Sequence, residues 1–428
     1  MKIKLAEIRI RRPATVAVAL FLLVGGLWAE GVQPPQTLPQ ILSEVYSLHP
    51  SLRAAQLRLA ASQAWAQGAG SQPNPELRLS VPRGDPSEEA NAFVQRLQIA
   101  GQTGLRSKIA ELQAQQKNAG LLALHRQLSM RVADAYWTLW ATRESERLLD
   151  LRLQLTSGLA LAGQRRLQAG EISENQKLRI ELEKAQAEAQ LASARGQRKT
   201  ALSNLNILLQ RPSDQEFLLP ENVLAEDHLA EPTREGLLSS VEIRPEVRVA
   251  NLTAEIQHLE ADLLGKQRAP DLEFEAYRSS LAQGSEQGVR VSLVLPLWDW
   301  GGIGAAVEQK QREAEAADSE TKAQRQTIEQ EVLAVWDLYV AEKERRQILR
   351  GQVERYLKQA DLARRGYEAG LLSLLEVIES QRAYRDAMLG AFKQTSLKFH
   401  RILSNSIVHM DLGSISISQD YAIPVKSF

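Results

Sequence analysis

The chain contains no cysteine. Disulfides, thiolate metal sites, cysteine nucleophiles and lipid attachment through a cysteine are therefore excluded. It also lacks a net charge, because 52 basic side chains stand against 52 acidic ones. A nucleic-acid-binding surface needs a basic excess, so that class is set aside. No phosphate-binding loop is present. Gly301-Gly302, followed by Gly304, has no lysine after it and no parallel-sheet context. The six histidines (His49, His125, His228, His258, His400, His409) are scattered, with no ligand pair at helical spacing. No nucleophile sits in a recognisable catalytic setting. The expectation is a non-enzyme with no cofactor and no metal site. Aromatics are scarce at 5%, while Ala, Leu, Gln, Glu and Arg dominate. Such a composition reads as long helices rather than a rounded globule.

Long apolar runs are missing everywhere except the N-terminus. There Lys2, Lys4, Arg9, Arg11 and Arg12 precede an apolar run from Ala14 to Trp28, ending near Ala29-Glu30. That order fits a secretory signal peptide over 1–29, with a core too short for a membrane helix. Leu27 stands where a small residue is preferred at cleavage. If the exported protein resides in a membrane, it must enter as β-strands.

What is present is a duplication. His49-Pro50 and Arg244-Pro245 each open a stretch. Ala169-Gly170-Glu171-Ile172-Ser173 returns as Ala369-Gly370-Leu371-Leu372-Ser373, Tyr136-Trp137 as Val335-Trp336, and Asn204 near Asn405. The shared offset makes the repeat a half-chain. The division is a first repeat over 30–211, a proline-bearing connector over 212–244, a second repeat over 245–405 and a tail over 406–428. Each half begins with a helix, Leu38 to Gln67 and Glu246 to Lys266. Two short strands, a very long helix, a glycine break and another helix follow.

Proline is absent from Gly104 to Leu167 and from Gly302 to Gly366. Ile328, Val332, Val335, Trp336 and Tyr339 recur at three- and four-residue spacing, which marks one buried stripe. Each stretch would reach roughly 90 Å as a helix. Helices this long cannot bury their stripe in one globular core and must pack along other long helices. Frequent Ala residues (Ala305, Ala306, Ala314, Ala316, Ala317) permit close approach, and the run from Glu342 to Arg346 is a solvated face with local ion pairs.

The strands alternate. Leu77, Leu79 and Val81 face one way, Glu76, Arg78 and Ser80 the other. From Ala92 to Ile99, Phe93, Leu97 and Ile99 oppose Arg96 and Gln98. Asp271 to Arg278 and Val289 to Leu297 repeat the pattern, with turn-rich connectors at Arg83 to Ser87 and Gln283 to Ser285. Segments of about ten residues with one apolar face match transmembrane barrel strands. Trp298 and Trp300 fall past a strand end, where an interfacial aromatic belt is expected. Four strands cannot close a barrel, and open edges are not tolerated in lipid. The chain should therefore oligomerise, and this argument leaves dimer and trimer both open.

The sequence resembles the TolC-like outer-membrane efflux family over nearly the whole mature chain. The likeness rests on the duplication, on Leu295-Pro296-Leu297-Trp298-Asp299-Trp300-Gly301-Gly302, and above all on the run from Tyr367 through Gly370, Ser373 and Glu376 to Gln381. The resemblance implies a mainly α fold with a small transmembrane β component: a homotrimer whose twelve strands, four per chain, form one barrel in the outer membrane of a Gram-negative bacterium, continued by a long periplasmic α-helical barrel. It implies a passive duct, with a periplasmic adaptor and a proton-driven inner-membrane pump docking at the tip. Ala169, Gly170, Glu171, Ile172 and Ser173, with Ala369, Gly370, Leu371, Leu372 and Ser373, would form that tip. Glu376 and Glu379, three apart on one helix face, would line the constriction as carboxylate rings. Leu372 departs from members with a basic gate residue there. The likeness leans towards metal-cation efflux. The alternative is an exported structural coiled-coil or adhesin-like protein that conducts nothing.

Overall fold

A computed structural model gives the fold and describes residues 35–79, 89–220, 233–281, 284–298, 300–373 and 375–387. The expected signal peptide, the connector loop from Arg83 to Ser87, residues 221–232, the end of the second repeat and the tail lie outside the described residues.

The first expected helix is two. α1 (Leu38–Leu48) and α2 (Pro50–Gly68) meet at His49. Pro50 has no N–H to donate and crowds the residue before it. His49 is accordingly extended, at φ −70° and ψ 121°, and its ring accepts a bond from the Ser51 N–H. α3 (Gln102–Gln168) and α7 (Gly302–Glu368) are the long helices, 67 residues each. At 1.5 Å per residue each runs about 100 Å. Both start immediately after a left-handed glycine, Gly101 at φ 87° and Gly301 at φ 84°. α4 (Glu174–Leu208) returns along α3, and α6 (Pro245–Gly265) lies along α7. α8 is described over 375–387. The connector, read from sequence as aperiodic, holds a short helix, α5 (Arg234–Ser239), capped by the Thr233 hydroxyl on the Gly236 N–H.

A 67-residue helix is stable here because it changes partner along its length. Near its start, Ile109, Leu112 and Ala119 of α3 pack on Leu252 and Ile256 of α6. Midway, Val132, Tyr136, Trp137 and Trp140 meet α1, α4 and the connector residues Phe217 and Leu219 in the largest core. Near its end, Leu159 joins Ile180, Ala363, Tyr367 and Val377. The second half repeats the middle core on a smaller scale, with Leu237, Val241, Val247, Ile328 and Val332 beside Trp336. The duplicated Trp137 and Trp336 thus each serve a core of their own half. Arg126 of α3 ties the halves together, donating both ways to the Glu246 carboxylate at 3.1 Å. Arg244 nearby stays cationic at neutral pH although burial and Arg126 bring its pKa down to about 10.

The four strands β1 (Glu76–Leu79), β2 (Glu89–Gln98), β3 (Asp271–Leu281) and β4 (Gly284–Val294) form one antiparallel sheet in the order β1-β2-β3-β4. The two hairpins, one from each half, join through β2 and β3. β1 and β4 are the sheet's edges within the chain. Among the described residues, no helix is long and apolar enough to cross a membrane.

Candidate functional site

Two places carry the chemistry: the faces of the sheet and the tip of the long helices.

Strand register sorts the sheet's side chains without ambiguity, because successive residues alternate faces. Leu77, Phe93, Ala276 and Val289 stand in one cross-strand row, and Leu97, Leu272 and Leu293 in another. Phe274 and Val291 lie between them. This face is apolar and open: Leu77, Phe93, Phe274, Val289, Val291 and Leu293 are all exposed within the chain. The opposite face carries Glu76, Arg78, Arg96, Glu273, Glu275 and Arg290. Arg290 pairs with Glu275 at 2.8 Å and Arg96 with Glu273 at 3.4 Å. The Arg290 guanidinium also lies 5.0 Å from the centre of the Tyr277 ring. A sheet with one largely apolar, exposed face and one ion-paired face is suited to a boundary between lipid and water. The predicted alternation holds over the described strand residues; Ser80 and Val81 lie outside them, and Ile99, Leu295 and Leu297 fall past the strand ends, while β4 begins earlier than expected, at Gly284. β2 begins earlier than expected, at Glu89.

Past β4, Leu295, Leu297 and Trp298 remain exposed, and Trp300 is 95% exposed. Trp300 holds φ 50°, a rare conformation for a bulky residue. It precedes Gly301, and the pair turns the chain from strand into α7.

At the other end, both long helices stop in the same way. Gly170 has φ 76° and Gly370 has φ 75°. The Glu171 N–H donates to the Arg166 carbonyl and the Leu371 N–H to the Gly366 carbonyl, each at 2.8 Å. This is the glycine-terminated helix end that satisfies the last orphan carbonyls. Ala169 and Ala369 are the residues on which the two helices close. Ser173 then caps α4 in a reciprocal box with Gln176. Ser373 does the same for α8 with Glu376: the carboxylate accepts from the Ser373 N–H at 2.7 Å and from its hydroxyl at 2.8 Å. Those bonds hold the Glu376 carboxyl below its ordinary pKa. Glu376 and Glu379 are both exposed.

Leu372, placed by sequence where a basic gate residue is common, instead packs into the apolar tip cluster against Gly366. A guanidinium reaches the tip from elsewhere. Arg166 lies 4.8 Å above the Tyr367 ring and pairs with Glu171 at 2.9 Å. Ile172 is half-buried, and Leu371 is 81% exposed at the turn.

One cluster escaped the sequence reading. Above the tip, Glu183 of α4 accepts from Arg152 of α3 at 3.3 Å and also from Arg382 of α8. Arg152 is further bonded to Gln190. Burial and the neighbouring Arg385 lower the Arg152 pKa, while Glu183 acts against them. The residues come from three helices, so no spacing rule gathers them.

The family model described as outer membrane efflux protein matches residues 239–393, from the end of α5 through the tip and into α8. That segment of the chain matches the outer membrane efflux protein family. It is 26% identical over 385 residues to the cobalt-zinc-cadmium resistance protein CzcC of Cupriavidus metallidurans, covering 86% of this chain and 90% of that one. Its fold is that of CusC, whose crystal structures are described in terms of folding and transmembrane channel formation, at TM-score 0.75 and 15% identity over 94% of this chain and 98% of that one. It is also that of the outer membrane protein VceC from Vibrio cholerae, at TM-score 0.69 and 18% identity over 87% and 95%. These likenesses support an outer-membrane efflux channel, a kind of protein that is a channel and not an enzyme. Its apolar sheet face is the part suited to the bilayer, and its helices extend away into the periplasm.

Proposed function

We propose that three copies of this chain form a passive duct that carries divalent metal cations across the outer membrane. The sheet supports the oligomer. Four strands leave β1 and β4 as open edges, which hydrocarbon does not tolerate. Three chains would close twelve strands, an even number within the range of bacterial barrels. The bare apolar face beside an ion-paired one is the single observation that carries this reading, since it fits a wall with lipid outside and water within. Trp298 and Trp300 would anchor the wall at the periplasmic interface.

The helical tip then faces the inner membrane. Ala169 to Ser173 and Ala369 to Ser373 would meet a periplasmic adaptor, behind which a proton-driven pump supplies the energy that the duct lacks. Glu376 and Glu379, in three copies, would ring the constriction with carboxylates and favour cations. Metal cargo is supported by the likeness to CzcC along 90% of that protein. Deleting the gene in its host tests the cargo. Sensitivity to cobalt, zinc or cadmium is expected. Sensitivity confined to dyes or antibiotics would remove the metal assignment.

A further inference from the structure

Towards the hairpin loops the apolar face gives way to a polar row with a single charge, with Glu89, Ser280 and Ser285 in the row beyond it. Two residues beyond the row Leu77, Phe93, Ala276 and Val289, on the same face, come Leu79, Asn91, Arg278 and Gln287. Asn91, Arg278 and Gln287 stand directly opposite one another on β2, β3 and β4, and all three are exposed. This row lies at the hairpin-loop end of the sheet. The helices and the two tryptophans lie at the other end.

Length decides what this row meets. Along β4 and the segment just past it, exposed apolar residues run from Val289 to Leu297. Eight residues at strand spacing span roughly 27 Å, or about 20 Å along the membrane normal at a tilt near 40°. The apolar band of an outer-membrane barrel is ~25 Å tall. Arg278 therefore falls just past the band, at headgroup level. An arginine on the lipid face costs about 2–4 kcal/mol at the bilayer midplane but about 0–1 near the interface. A guanidinium offers forked N–H donors that match a phosphate, and the two flanking carboxamides add further N–H donors.

We infer that Asn91, Arg278 and Gln287 form a docking row for the phosphate of an anionic lipid headgroup in the outer leaflet, the phosphorylated glycolipid lipid A. This rests on the membrane-spanning reading of the sheet. Three copies would place three such rows around the rim. The row also breaks the symmetry of the wall, with phosphate recognition outside and tryptophan anchoring inside.

The chain's freedom from cysteine makes a clean test possible. The full-length protein carrying Val291→Cys, labelled with an environment-sensitive fluorophore, is reconstituted in phosphatidylcholine vesicles containing bisphosphorylated lipid A. The label reports whether the sheet lies in lipid, and mass spectrometry counts lipid A retained after extraction. Arg278→Gln should lower retention by about tenfold, the worth of one charge-assisted bond. Arg278→Lys should lower it less. Arg290→Gln, on the opposite face, should leave it unchanged. Lipid A stripped of its phosphates should bind equally poorly to Arg278→Gln and to the parent. Equal retention of bisphosphorylated lipid A by Arg278→Gln and the parent, with the label in lipid, overturns the docking row. A label that stays in water in every variant overturns the membrane reading and this inference with it.

Discussion

Gly170 and Gly370 hold the same left-handed backbone, φ 76° and φ 75°, at the ends of two helices of 67 residues each. The duplication seen in sequence is thus a duplication of conformation, down to the glycine that stops each helix. Gly101 and Gly301 repeat the relationship at the helices' starts.

A Cβ at Gly370 meets nothing within 4 Å, so the cost of Gly370→Ala is conformational alone. A left-handed residue with a side chain costs roughly 1–2 kcal/mol. Hydrogen exchange at the amides of Leu371 and Leu372, which bond to the Gly366 carbonyl, should accelerate. Exchange in the middle core around Tyr136 should stay as it is, because tip opening is local.

The two faces of the sheet predict opposite tolerance. Val291→Arg places a charge in the middle of the apolar face and should destabilise the reconstituted protein by about 2–4 kcal/mol. Arg290→Gln, one residue away on the ion-paired face, loses an exposed pair with Glu275 and should cost under about 1 kcal/mol. Urea unfolding from vesicles measures both.

The Glu183 cluster joins three helices through one carboxylate. Its pair with Arg152 is shielded, with side chains 14% and 9% exposed. Glu183→Gln leaves Arg152 and Arg382 without their shared counter-charge and should cost about 3 kcal/mol. Faster hydrogen exchange in α8 over 375–387, beyond that in α6, would mark the loss as one of docking between the two halves.

Acid should loosen the tip before the rest of the helices. The Glu376 carboxyl is held below its ordinary pKa by the Ser373 N–H and hydroxyl. Its contribution is therefore complete above the ordinary carboxylate range and is lost as the pH falls through the lowered value. Exchange at the α8 N-terminus should rise in that acidic window. In Glu376→Gln, which keeps a capping acceptor but does not titrate, the rise should be absent.

Much of this was legible because it is periodic. The long helices follow from proline-free stretches, and the alternation of Leu77 and Leu79 or of Phe93 and Leu97 assigns strand faces directly. What was not legible depends on contacts between distant segments. Nothing local says that β2 pairs with β3 from the other half. Nothing local brings Arg152, Glu183 and Arg382 together across three helices. Leu372 reads as a missing gate residue until its packing on Gly366 is seen, and Arg166 takes its meaning only from Tyr367. The break at His49 is a different case. Pro50 was visible, and the residue before a proline is biased away from the helical region.

The central claim is that the sheet is one part of a shared barrel wall. Its most direct test is the mass of the detergent-extracted protein from separated inner and outer membranes. The account predicts a trimer, found in the outer-membrane fraction and released only by detergent. A protein released in soluble form, or one that is monomeric or dimeric in detergent, would contradict it and favour an exported coiled-coil protein that conducts nothing.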